Sequence, residues 1–155
     1  MLCRLYRPGD FDALYALEEV CFEPPFRFAR RYMRHLVQRA NTAVWMAEEA
    51  GQIAGFGIVE WSVERRGVTA YIQTIEVAPE ARGRGVGKAL LGSLEGSALA
   101  AGSTLIWLHV EAANAAAIRL YEAQGYSCEG RQEDYYPRGR AALIYVKHLQ
   151  AETPN

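Results

Sequence analysis

The stretch "PEARGRGVGKAL", residues 79 to 90, sets Gly83, Gly85 and Gly87 within five positions, between a strand-like run and a helix-like one. Pro79 ends the strand, so the segment predicts a strand, a turn of nearly bare backbone, and then a helix. Backbone N–H groups at a helix start have no intrahelical acceptor, and the helix dipole adds roughly 0.3–1 kcal/mol for a nearby anion. Phosphate is the expected guest. The Walker loop needs Ser or Thr after its lysine, but Ala89 follows Lys88 and Arg82 stands at the first glycine position. The dinucleotide fingerprint G-x-G-x-x-G fails as well, because these glycines are spaced two apart and the chain does not open with a βαβ unit.

The rest of the chain bounds the alternatives. At 155 residues it fits one domain, large enough to bury about two thirds of its unfolded surface. With 17 Lys and Arg against 18 Asp and Glu, it lacks the charge of a protein that binds nucleic acid by bulk attraction, and no nucleic-acid partner is expected. Cys3, Cys21 and Cys128 are odd in number and irregular in spacing, which gives neither a disulfide framework nor a zinc ribbon and fits a reducing compartment. His35, His109 and His148 stand far apart, so no metal site is expected. "MLCRLYRPGD" lacks an apolar signal-peptide core, and no apolar run approaches the roughly 20 residues of a membrane span. The expected location is cytoplasmic, with no membrane partner.

Periodicity sets out the elements. "LCRLYRP" reads as a strand, Asp10 as the N-cap of a helix over "FDALYALEEV", and "FEPPF" as a break before a second, basic helix over "RFARRYMRHLVQR". "TAVWMAEE" and "QIAGFGIVEWSV" form a hairpin turning at Ala50 and Gly51, and "VTAYIQTIEVA" follows as a third strand. Residues 85 to 101 read as a helix with Val86, Leu90, Leu94 and Ala98 on one stripe. Gly92 and Gly96 within it predict close approach to another backbone; the charges at Lys88 and Glu95 exclude a membrane helix pair. "STLIWLHVEA" reads as a buried strand, and Asn114 caps a helix that Gly125 ends. "YSCEGRQEDYY" and "RAALIYVKHL" complete a single α+β or α/β domain over residues 1–149 with a central mixed sheet, leaving 150–155 as a frayed tail.

The pattern Arg82-x-x-Gly85-x-Gly87, directly after "IEVAP", resembles the acetyl-CoA pyrophosphate loop of the GNAT superfamily of N-acetyltransferases. "YRPGDFDAL" is similar to that family's opening strand and helix, and "NAAAIRLYEAQGY" to its second half, so the resemblance runs along nearly the whole chain. It implies a three-layer α+β fold whose mostly antiparallel mixed sheet, flanked by helices, splays open after the fourth strand to take acetyl-CoA in the gap. By position, the backbone of Ile75 and Val77 pairs with the pantetheine arm, and the Val77 N–H holds the thioester oxygen. Arg82, Gly83, Arg84, Gly85, Val86, Gly87 and Lys88 cradle the pyrophosphate, and Asn114 contacts the pantetheine end. The physical sense is plain: an amide-bearing arm hydrogen-bonds like an extra strand while arginines and a helix start meet the phosphates.

Moving acetyl from a thioester to an amine needs a neutral amine and a protonated leaving sulfur. The resemblance assigns the second task to Tyr121, whose phenol, near pKa 10, can protonate a thiolate near 8.5. His109 lies on a strand face with Leu105, Trp107 and Glu111. "AYIQTIEV" with "WLHV" resembles N-terminal acetyltransferases that pair a strand tyrosine and a strand histidine around an ordered water, here Tyr71 and His109. The chain is also similar to ribosomal-protein alanine acetyltransferases, including "DYYP", but departs from them by carrying histidine where they carry glutamate. Glu76 and Glu111 are reserve carboxylates.

At pH 7 an α-amine of pKa about 7.8 costs about 1 kcal/mol to deprotonate, against roughly 4.6 for lysine near 10.4. A single histidine therefore suits the α-amine of a protein or peptide N-terminus. Phe22, Glu23, Pro25 and Phe26 in the proline-broken hinge, with Tyr135 and Tyr136 before the last strand, are the expected acceptor grip. A lysine side chain or a small amine such as a polyamine or aminoglycoside is the alternative acceptor, and a silent acyl-CoA-binding module is the alternative outside enzymes. Monomer and homodimer both remain open.

Overall fold

The computed structural model describes residues 1–150, so the expected tail at 150–155 lies, apart from Gln150, outside the described residues. Seven strands, β1 (Leu2–Leu5), β2 (Thr42–Glu49), β3 (Gln52–Glu64), β4 (Gly67–Val77), β5 (Ser103–Glu111), β6 (Ser127–Tyr136) and β7 (Arg140–His148), form one sheet in the order β1-β2-β3-β4-β5-β7-β6. Every neighbouring pair is antiparallel except β4 with β5. Helices α1 (Phe11–Cys21) and α2 (Arg30–Leu36) cover one face; α3 (Val86–Ala100) and α4 (Ala115–Ala123) belong to the other.

The β2–β3 hairpin turns where expected. Ala50 and Gly51 both adopt positive φ, 50° and 78°, the twist that a two-residue turn between right-handed strands requires. Val86, Leu90, Leu94 and Ala98 are all buried, as the stripe predicts. The close approach lies elsewhere than at Gly92 and Gly96, where an added Cβ would meet nothing within 4 Å. It belongs to the strand beneath the helix: a Cβ on Gly55 would stand 2.6 Å from the Glu76 carbonyl oxygen, and one on Gly57 2.9 Å from Leu94. The strand surrenders side chains so that large helix residues can sit on it.

Two local expectations are corrected. Asp10 makes no capping bond to α1, because its carboxylate takes Arg4 at 2.8 and 2.9 Å and the Arg7 N–H at 2.7 Å, closing the turn before the helix. The second helix is shorter than the basic run. Arg27 and Ala29 are extended, and the Phe28 backbone is pinned to α1, its N–H to a Glu18 carboxylate oxygen and its carbonyl to the Tyr15 hydroxyl.

The sheet opens between its two parallel strands. β4 and β5 pair from Val68 with Ser103 to Ile72 with Leu108, and then part. Beyond that point β5 stays with β7 through Glu111, while β4 stays with β3 through Val77. A bulge at Gln73 accompanies the parting, since Ile72 is opposite Val59 and Thr74 is opposite Ile58. The extra residue resets the alternation: Ile72 lies in the core with α3, whereas Thr74 and Glu76 turn to the α1 side.

Candidate active site

The loop after β4 leads into α3 with Gly83 at φ 78° and Gly85 at φ 83°, conformations that side-chain-bearing residues avoid. A Cβ at either would meet no atom of the chain within 4 Å, so the glycines leave an open concavity at the helix start. Ala89 N–H makes the first intrahelical bond, to the Gly85 carbonyl at 3.1 Å, leaving the N–H groups of Val86, Gly87 and Lys88 for an outside acceptor. Arg82 turns back to the Val77 carbonyl at 3.1 Å, and Arg84 pairs with Glu49 at 2.9 Å. Both cations border the loop, yet each already has a protein partner.

Beside this loop β4 presents a free edge. Ala78 N–H donates to Ala54 on β3, so strand alternation turns the N–H groups of Ile75 and Val77 away from β3 into the gap. Asn114 opens α4, its side chain accepting from Ala117 N–H at 3.2 Å, which leaves its amide N–H₂ unspent by the cap. A helix start for a pyrophosphate, continued by a free strand edge for an amide-bearing arm, fits acetyl-CoA.

The proton-handling candidates stand on opposite faces of the gap. Tyr121, in the last turn of α4, is buried with Tyr126 and Tyr145 in the cluster holding Ile72, Leu108 and Val110, and burial pushes its phenol up to about 12. Tyr71, next to Ile72, points to the other face. Its hydroxyl meets His109 Nδ1 at 2.7 Å, joining β4 to β5 where the strands begin to part. At that distance the contact between the two is direct. Burial, with Tyr135 nearby, raises the Tyr71 phenol well above its ordinary value. His109 Nε2 meets Gln132 Oε1 on β6, also at 2.7 Å, and the Tyr135 ring stacks on the imidazole at 4.2 Å. Trp107 packs against both Tyr71 and His109. A cavity of about 380 Å³ lies beside Tyr71, lined by Glu60, Glu64, Trp107 and Tyr135 among others.

Of the expected acceptor residues, Glu23 and Phe26 meet the turn that follows Tyr136. Phe26 lies under the guanidinium groups of Arg138 and Arg140, at 5.6 and 4.8 Å, and Glu23 pairs with Arg138 at 3.3 Å. Tyr135 and Tyr136 meet edge to face at 4.8 Å. Pro25 is exposed on the single turn Pro24–Phe26, and Phe22 is half-buried.

The reserve carboxylates lie in contacts of their own. Glu111 pairs with Arg140. Glu76 is 3% exposed and Glu18 1%, on adjoining elements; burial raises both carboxyls, and the neighbouring Glu18 raises Glu76 further, whereas the bond to Glu76 works to lower Glu18. Each has one buried oxygen without a recorded donor. One proton shared between these neighbouring carboxyls would satisfy both.

Sequence reasoning missed Gln132, the Gln73 bulge and the Glu18–Glu76 pair. Gln132 lies in the polar run "EGRQED", which carries no sign of a partner, and the other two depend on pairing across elements. Among the described residues no helix is long and apolar enough to cross a membrane.

Comparison with known proteins agrees with the geometry. Residues 11–126 match the model of the acetyltransferase (GNAT) family. A relative, the ribosomal protein bS18-alanine N-acetyltransferase of Escherichia coli, is 30% identical over 119 residues, 66% of this chain and 78% of that protein. The crystal structure of the Escherichia coli ribosomal-protein alanine N-acetyltransferase superposes with TM-score 0.83 at 26% identity, over 99% of this chain and 97% of the other. That of Arabidopsis thaliana NAA60 in complex with acetyl-CoA gives 0.85 at 21% identity, over 96% and 98%.

Proposed function

The chain belongs to the GNAT family of acetyltransferases and is an N-acetyltransferase that uses acetyl-CoA; on that premise, we propose that its acceptor is the α-amine of a protein or peptide N-terminus. The observation that carries this reading is the direct Tyr71–His109 hydrogen bond at the parting of β4 and β5. One imidazole behind one phenol is a mild base. It suits an amine that loses its proton for about 1 kcal/mol at pH 7 better than one that needs roughly 4.6.

Acetyl-CoA, when bound, supplies an acetyl thioester whose exchange for an amide is downhill. The chain's own groups hold and move the protons. Loop residues Gly83 to Lys88 offer N–H groups to the pyrophosphate, with Arg82 and Arg84 at its border, while Ile75, Val77 and Asn114 orient the arm and the Val77 N–H polarises the acetyl carbonyl. On the acceptor side, Tyr71 Oη takes a proton from the amine as its own passes to His109 Nδ1, leaving an imidazolium. On the other face, Tyr121 Oη gives its proton to the departing sulfur. The acylated nitrogen then sheds its second proton, which offsets the one Tyr121 gave to sulfur, and His109 releases its proton to solvent, so that each turnover of a protonated amine releases one proton. Phe22, Glu23, Pro25 and Phe26 grip the first acceptor residues, and Tyr135 and Tyr136 close over the backbone.

Rate against pH with a free-α-amine peptide tests the relay. Tyr71→Phe and His109→Gln are each expected to lower kcat/KM by about 100-fold, the lower range of general-base contributions, and to abolish the enzyme's own acid limb. An unchanged profile and turnover in His109→Gln would remove His109 as the base.

A further inference from the structure

The relay uses one nitrogen of His109, and the other is held just as closely. Nδ1 is 2.7 Å from Tyr71 Oη, and Nε2 is 2.7 Å from Gln132 Oε1. Gln132 sits on β6 opposite Ala142 of β7, at the last regular pair before the register shifts toward Tyr136. Its side chain reaches across β7 to a residue of β5.

We propose that Gln132 is a positioning residue that fixes His109 as the Nε2–H tautomer, so that its Nδ1 lone pair already faces Tyr71 when the substrates arrive. The inference rests on the reading of Tyr71 and His109 as the relay. A neutral imidazole carries one donor and one acceptor, and an amide oxygen only accepts. Nε2 must therefore hold the proton in this arrangement. Tyr71, whose phenol is kept protonated by its buried setting, then donates to Nδ1. The opposite tautomer would set the Nε2 lone pair against the oxygen of Gln132 and put an N–H where the proton has to land.

Gln132 also acts after transfer. Once His109 is imidazolium, the Nε2–H bond to Oε1 becomes charge-assisted and strengthens. A carboxylate there would do so too, but it would also favour the imidazolium before the amine arrives. The amide secures orientation without that bias. Among the described residues, the titratable groups in ring contact with the imidazole are Tyr71 from β4 and Tyr135 from β6, with Trp107 packed along its own strand. Glu111, two residues further on, is turned to Arg140 of β7.

Gln132 is exposed, so substitutions there leave the core intact. Long-range ¹H–¹⁵N spectra of His109 report the tautomer without any substrate, and pH–rate profiles report its use. In the parent chain Nε2 is expected to carry the proton and Nδ1 to be bare. Gln132→Leu is expected to lose that preference and to lower kcat by about 10- to 100-fold, with little change in the acceptor KM. Gln132→Glu is expected to restore the tautomer and most of the rate, while moving the acid limb about one pH unit upward. Gln132→Leu retaining both tautomer and kcat would overturn the inference alone, provided His109→Gln abolishes the limb. If His109→Gln leaves the profile unchanged, the relay falls and the inference with it.

Discussion

Glu18 and Glu76 illustrate how far a residue's character depends on what faces it. In sequence, Glu76 is a strand carboxylate flanked by apolar residues, and a reserve base is a fair expectation. In the fold it is buried against Glu18 with Thr74 donating to one oxygen at 2.9 Å, and two carboxyls in such a place cannot both be ionised. The native state therefore keeps a proton that the unfolded chain releases above about pH 4.3. Stability from this source is full below that pH and is lost as pH rises toward the raised native value. Glu76→Gln, which keeps the acceptor for Thr74 and offers Glu18 a permanent donor, is expected to remove the slope. Thermal melts from pH 5 to 9 should show its advantage widening to about 1 kcal/mol or more, roughly 2–4 °C for a chain of this size. A constant gap across that range would mean that no proton is shared. Gln132 was illegible for the converse reason: nothing local distinguishes an exposed strand glutamine that touches an imidazole two strands away.

At the scale of elements, periodicity was a sound guide wherever an element obeys one period throughout. The α3 stripe, the β5 alternation that puts His109 beside Trp107, and the Asn114 cap are all legible for that reason. β4 breaks its own period. The Gln73 bulge puts Tyr71 on the face of Thr74 and Glu76, whereas strict alternation would put it with Ile75 and Val77 under α3. The helix glycines misled because a sequence shows where a side chain is missing but not which partner needs the space; Gly55 and Gly57 on β3 supply it. The β2–β3 turn offers a test at this scale. Ala50 holds a positive φ that costs an ordinary residue about 1–2 kcal/mol, and asparagine tolerates it better. Ala50→Asn is expected to raise stability by roughly 0.5–1 kcal/mol, read as an increased denaturant midpoint with an unchanged m-value. A decrease would show that the hairpin relies on something at Ala50 other than backbone conformation.

Across the whole molecule, one parting of two parallel strands organises the proposed chemistry. It frees the β4 edge beside the α3 start, and it gives both faces of the sheet access to one gap. Tyr71 and His109 reach it from the face of α1 and α2, Tyr121 from the face of α3 and α4. In the proposed reading the cofactor side is legible from the glycine loop and the α4 cap, because backbone recognition constrains sequence tightly. The proposed acceptor grip draws on distant parts of the chain, Phe22 to Phe26 with Tyr135 and Tyr136, and the contacts of Glu23 and Phe26 with Arg138 and Arg140 appear only in the fold. The acceptor amine is thus the central claim. Release of free CoA from acetyl-CoA tests it most directly, with one peptide set bearing a free α-amine and no lysine, and another with a blocked N-terminus and an internal lysine. Turnover with the first set alone is the expected result; turnover with the second alone would contradict the α-amine acceptor.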